Sequence, residues 1–181
     1  KITVPMGIAD LDFRQHPAVV KALQKRATYD NYGYETLPAS YYEAIINWNK
    51  DRYGLEVKRE WIRNSSALKP GMISSMRALN PVKGKVILQT PTYSGFRGAI
   101  NKAGMRVEMN PMKKVNGRWK MDLEDLESRL DYETKCLILC NPNNPSGECW
   151  TADELRALGD VCMRHGVTVL ADEIHCDYVN K

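Results

Sequence analysis

The chain has 181 residues, of which 43% are hydrophobic and 27% charged, and a net charge of +4. That is enough apolar material for one domain, or for one domain and part of another. Charges of both signs are scattered, basic clusters such as Lys113-Lys114 are short, and no apolar run approaches the ~20 residues a membrane helix needs, so a nucleic-acid arm and a membrane span are set aside.

In chain order, residues 16–29 carry Val19, Val20, Leu23 and Ala27 at helical spacing, with Pro17 suited to a first turn. Asp30-Asn31-Tyr32-Gly33-Tyr34 breaks that pattern as a loop. A second amphipathic helix is expected over 41–53, with Ala44, Ile45, Trp48 and Tyr53 on its apolar side, and a third over 70–79. The rhythm then changes to short apolar strands alternating with helices. Strands are expected at 85–89, 106–109, 136–140 and from Val167 to Ala171, and helices at 94–103, 122–130 and 151–165. Gly104 and Gly166 close two of these helices, and Thr151 with Glu154 forms a capping box at the start of the last. This alternation is the signature of an α/β fold with a mainly parallel sheet and flanking helices.

Cys136, Cys140, Cys149, Cys162 and Cys176 form an odd set without a CxxC pair, which argues against a disulfide framework and against a zinc site. They point to a reducing compartment, the cytoplasm. The chain starts at Lys1 and stops at Lys181, shortly after an apolar strand that needs cover on both faces, so it is expected to be part of a longer protein.

Ligands of parallel sheets bind beyond the carboxyl ends of the strands, and the least ordinary chemistry in this sequence lies there. Asn141-Pro142-Asn143-Asn144-Pro145-Ser146-Gly147 follows a buried strand; one Asn-Pro turn is commonplace, but two within seven residues suggest amides held at fixed positions. Asp172-Glu173-Ile174-His175 ends the next strand, and an acid there is costly to bury without a partner. A turn cap is the plainer reading of Asp172, and a satisfied loop residue that of His175. Tyr93, in Pro91-Thr92-Tyr93, is placed either to stack on an aromatic ligand or to pack the turn. The stretch Ser65-Ser66-Ala67-Leu68-Lys69-Pro70-Gly71 opens a helix, where free amides suit a phosphate. GxGxxG and GxxxxGK are absent, which disfavours the common nucleotide sites. A phosphate seat, a stacking ring, an amide donor and a buried acid together suit a flat, phosphorylated, cationic heteroaromatic ring.

Cys140-Asn141-Pro142-Asn143-Asn144-Pro145-Ser146-Gly147, followed by a helix and by Ala171-Asp172-Glu173-Ile174-His175, resembles the class I/II aminotransferases, the fold-type I enzymes that use pyridoxal 5'-phosphate (PLP). More narrowly, Pro5-Met6-Gly7-Ile8-Ala9-Asp10-Leu11-Asp12-Phe13, Tyr32-Gly33-Tyr34 and Gln89-Thr90-Pro91-Thr92-Tyr93-Ser94-Gly95-Phe96 resemble the cystathionine β-lyase branch related to MalY and PatB. The resemblance covers nearly the whole chain, in order. It implies the aspartate aminotransferase fold, with 1–63 an amino-terminal arm and small-domain portion and 64–181 part of the PLP-binding large domain. It implies that Asp172 pairs with the pyridine nitrogen, Asn144 and His175 lie at the phenolic oxygen, and Tyr93 stacks on the ring. The backbone at Ala67, Leu68 and Lys69 then holds the phosphate, and Tyr34 reaches the phosphate of the partner subunit in a homodimer. The implied activity is carbon–sulfur β-elimination on an amino acid, sulfur-containing by this branch, with transamination or a non-catalytic binding role on the same fold as alternatives. The family's Schiff-base lysine is expected beyond this chain, since Lys181 follows Asp172 too closely. Two departures are visible: Gly7 replaces a bulky residue, and Leu68-Lys69 stand where two valines are usual.

Overall fold

The computed structural model describes residues 13–79 and 84–179, and the chain divides into two compact units, 1–62 and 63–181. The amino-terminal motif from Pro5 falls, except for Phe13, outside the described residues.

The first unit holds helices α1 (Pro17–Ala27) and α2 (Ala39–Tyr53) and a single 3-10 turn, Arg59–Trp61. Pro17 occupies the first turn of α1, where its missing N–H is no loss, and the ring of His16 accepts from Ala18 N. Gly54, at φ +66°, ends α2 in the left-handed conformation that glycine adopts without strain; its N–H reaches Lys50 O at 2.9 Å. The Arg26 guanidinium lies over the rings of Tyr29 and Tyr32, 5.2 and 5.0 Å from their centroids, and pairs with Glu35 at 2.7 Å. These contacts fold the Tyr32-Gly33-Tyr34 loop back along the end of α1.

The second unit is a three-layer α/β structure. Its elements are α3 (Leu68–Leu79), β1 (Lys85–Thr90), α4 (Gly95–Ala103), β2 (Arg106–Pro111), β3 (Lys113–Val115), β4 (Arg118–Lys120), α5 (Leu123–Arg129), β5 (Thr134–Cys140), α6 (Ala152–Arg164) and β6 (Thr168–Asp172). The four long strands run parallel in the order β2-β1-β5-β6. Strand alternation separates two cores. Val86, Leu88, Cys136, Ile138 and Cys140 face α3 and α4, where Met72, Met76, Phe96, Ala99 and Ile100 meet them. Ile87, Leu137 and Leu139 face the opposite layer, with Leu126 of α5 and Leu158, Val161 and Cys162 of α6. Burial on both faces is why β1 and β5 read as unbroken apolar runs.

The expected elements are present with shifted ends. Helix α3 begins at Leu68 rather than at residue 70, because Pro70 then stands in the first turn, where no N–H is needed. The antiparallel hairpin β3–β4 is additional to the expected elements. Its turn is Asn116-Gly117, with φ +50° and +80°, the two left-handed residues a tight hairpin requires. No helix among the described residues is long and apolar enough to cross a membrane.

Candidate active site at the strand ends

Strand β1 leads through α4 to β2 on one side of the sheet, and β5 leads through α6 to β6 on the other. The chain therefore changes direction between β1 and β5, and a crevice opens at their carboxyl ends. Tyr93, the 141–147 loop and Asp172 are carried to that edge by β1, β5 and β6 respectively.

The loop after β5 is tied down by its own side chains. Asn143 is only 4% exposed; its Oδ1 accepts from Ser146 N and from Ser146 Oγ, the latter at 2.7 Å. Its N–H reaches Glu148 O at 2.8 Å, and its carbonyl accepts from Gly147 N at 2.8 Å. At the loop's base Asn141 Oδ1 accepts from Trp150 N, and Trp150 Nε1 donates to Cys140 O. The Cys140 thiol donates to Pro142 O and accepts from Asn144 N, at 3.3 and 3.4 Å. Burial pushes that thiol up, the Asn144 amide works against the rise, and the carboxylate of Asp172 adds to it, so the sulfur stays protonated. With Asn143 committed to the loop, Asn144 is free to serve the crevice. Its side-chain amide has no hydrogen-bond partner among the described residues, and it lines a cleft of about 710 Å³ with His175, Cys149 and Tyr178.

Asp172 is 4% exposed and cross-strand from Cys140. Among the described residues its side chain has one hydrogen bond, from Ile174 N to Oδ1 at 3.1 Å, and no ion pair, while its backbone carbonyl accepts from Asn141 N at 3.0 Å. The other buried acid, Asp122, faces Lys113 Nζ at 2.6 Å. A carboxylate buried at a strand end is costly without a cation beside it, and a ligand can supply one. A protonated ring nitrogen is such a group, so this donor set fits a pyridinium cofactor.

Tyr93 lies edge-on to Phe96, with ring centroids 5.5 Å apart. Lys69 Nζ is 5.7 Å from the Tyr93 ring centre, which brings the start of α3 to this tyrosine. Gly95 makes the arrangement possible: a Cβ there would stand 2.3 Å from Tyr93 Cε1 and 2.9 Å from Lys69 Cε. The amides of Leu68 and Lys69 lie in the first turn of α3 and find no acceptor among the described residues; Ser65 Oγ donates to Ala67 O just before them. The structure thus groups Asn144 with His175, Tyr93 with the start of α3, and Asp172 with Cys140. Tyr34 belongs to the other unit, where its side chain is fully exposed. The roles of Asn143, Ser146, Glu148 and Cys140 as supports had no separate signal in the sequence, since turn residues look alike whether they hold a loop or serve a ligand.

The family model for aminotransferase class I and II matches residues 1–181, and the chain belongs to that family. It is 37% identical over 175 residues to the cystathionine beta-lyase PatB of Bacillus subtilis, covering 96% of this chain and 45% of PatB. It is 31% identical over 178 residues to the protein MalY of Escherichia coli, covering 97% of this chain and 46% of MalY. Among solved structures, cystalysin from Treponema denticola, which contains a pyridoxal 5'-phosphate cofactor, superposes with a TM-score of 0.89 at 28% identity, over 96% of this chain and 44% of cystalysin. The PLP-bound C-S lyase from Staphylococcus hominis does so with a TM-score of 0.87 at 30% identity, over 94% of this chain and 45% of that enzyme. The chain spans just under half the length of these relatives.

Proposed function

We propose that the protein carrying this chain is a PLP-dependent carbon–sulfur β-lyase, acting on a sulfur-containing amino acid to release a thiol, pyruvate and ammonia. The observation that carries the reading is Asp172: a buried carboxylate without a cationic partner among the described residues, at the end of a parallel strand beside the loop that presents Asn144. The likeness to PatB and to the C-S lyase of Staphylococcus hominis supports lyase chemistry in particular.

Bound at the strand ends, PLP supplies an electron sink for the charge that develops at the substrate Cα. The residues of this chain would hold and orient it. Asp172 would keep a proton on the ring nitrogen by ion pairing. Asn144 Nδ2 would donate to the phenolic oxygen, and His175, which lines the same cleft, would stand near it. Tyr93 would cover the ring and limit the entry of water there. The amides of Leu68 and Lys69 take the phosphate, and Tyr34 serves the same phosphate from the partner subunit of a homodimer. The base that moves the Cα proton is assigned to the part of the protein outside these residues, so residues 1–181 alone are expected to be inactive.

The test is incubation of the full-length protein with L-cystathionine. Pyruvate released without an added keto acid supports the lyase. Turnover only with a keto acid makes it an aminotransferase on the same cofactor contacts. Absence of turnover with either, together with capture of a protein partner, makes it a binding protein on this fold. Asp172→Ala in the full-length enzyme is expected to cut turnover by about 10²-fold or more, as loss of one preorganised charge contact does.

A further inference from the structure

We infer that Arg118 and Glu148 form a clamp that positions Asn144, so that the β3–β4 hairpin, remote from the strand ends in sequence, sets the geometry of the cofactor's amide donor. The inference rests on the PLP reading above.

Arg118 opens β4 and reaches across to the far end of the 141–149 loop. Its Nε donates to Glu148 Oε2 at 2.8 Å and its terminal nitrogen to Cys149 O at 2.9 Å. The second carboxylate oxygen, Glu148 Oε1, accepts from Trp119 N at 3.0 Å, so both oxygens are held by consecutive residues of one strand. The side chain of Glu148 is 15% exposed, and Arg118 first and Trp119 N second hold its carboxyl below the usual range. The backbone of Glu148 then closes the loop: its carbonyl accepts from Asn143 N at 2.8 Å, and its N–H donates to Ser146 Oγ. Asn143 is the residue before Asn144, so the path from guanidinium to amide runs through Glu148 and Asn143 in direct hydrogen bonds.

The other anchors of the loop lie at its base, on Cys140 and Trp150. Without the clamp the segment from Asn143 to Cys149 keeps its internal bonds and loses its fixed point on the hairpin. The side chain of Asn144 has no partner among the described residues to hold its orientation, so its aim depends on the backbone that carries it. A buried scaffold asparagine beside a free one, with an ion pair behind the scaffold, is an arrangement for presenting the second amide.

The experiment compares wild type, Arg118→Gln, Asn144→Ala and the double variant in the full-length protein, by PLP titration and by the pH midpoint of the bound cofactor's visible absorbance. Arg118→Gln is expected to weaken PLP binding about fivefold, the effect of losing roughly one net hydrogen bond. It is also expected to move the absorbance midpoint upward, as loss of a donor to an anionic oxygen does. In the Asn144→Ala background the same substitution should add nothing further to the midpoint, because the group it positions is gone. A midpoint unchanged in Arg118→Gln, or an equal further shift in the double variant, overturns the inference, since a merely structural ion pair acts alike in both backgrounds. Should Arg118→Gln fail to fold, Glu148→Gln takes its place under the same criteria. A wild-type protein that does not bind PLP overturns the functional reading itself; normal wild-type binding with an indifferent Arg118 overturns only the clamp.

Discussion

Asp172→Asn separates the stability of the site from its use. Asparagine matches aspartate in shape and keeps an oxygen for Ile174 N, the sole hydrogen bond the Asp172 side chain makes among the described residues. What it removes is the charge of a residue that is 4% exposed and has no cation beside it among the described residues. Burying an ion costs several kcal/mol in effective terms, and one charge-assisted bond returns about 1.5–3 kcal/mol. The cofactor-free variant is therefore expected to gain about 1–2 kcal/mol over wild type. Its melting midpoint should rise accordingly. Saturating PLP should reverse the order, because the ligand stabilises whichever form binds it more tightly. Differential scanning calorimetry with and without PLP reads both. A cofactor-free Asp172→Asn that melts at or below wild type would mean the carboxylate is already satisfied, and the argument that the site awaits a cationic ring would fail.

Two further expectations follow from packing and charge. Gly95→Ala places a methyl 2.3 Å from Tyr93 Cε1, so the ring must leave its position; as it is 40% exposed it can swing outward, and PLP affinity should fall roughly tenfold while stability drops by about 1 kcal/mol, read by fluorescence titration and melting. Arg129, and after it Asn110, hold Asp125 at a pKa of about 2, against an ordinary 3.8. The folded value is depressed, so this contribution is complete above about pH 4 and is lost as pH falls toward 2. The stability difference between wild type and Asp125→Asn should shrink over that window and stay flat from pH 5 to 8; a difference that persists at pH 2 would contradict the pairing.

Much of the fold was legible because local signals and burial agreed. The apolar run at 136–140, the capping box of Thr151 and Glu154, and Gly166 mark β5, α6 and the turn into β6, and each is where the residues put it. The β3–β4 hairpin is masked by charge although Asn116-Gly117 suits a tight turn. Lys113, Lys114, Arg118 and Lys120 make its strands read as a solvated charge run, when Lys113, Arg118 and Lys120 are in fact paired with Asp122, Glu148 and Glu154. At the site, residue type pointed to Asp172 and to the 141–147 loop, because an acid after an apolar strand and repeated Asn-Pro are chemically unusual; the family resemblance alone singled out Asn144. The division of labour between Asn143 and Asn144 was not legible, since it depends on Ser146 and Glu148 folding back onto one of two identical side chains.

The sheet order also bears on how the molecule is made. β1-α4-β2 and β5-α6-β6 are each compact βαβ units whose paired strands are near neighbours in the chain. The β1–β5 ladder instead joins residues far apart, such as Val86 and Cys136, and closing so long an intervening loop is slow. The strand ends that carry Tyr93 and the 141–147 loop meet on that seam. Each half can acquire its strands early, while the binding surface exists only after the halves have docked. Pulse-labelled amide exchange during refolding should accordingly protect amides of the β1–β2 and β5–β6 ladders before those of the β1–β5 ladder, and PLP capture should track the later step.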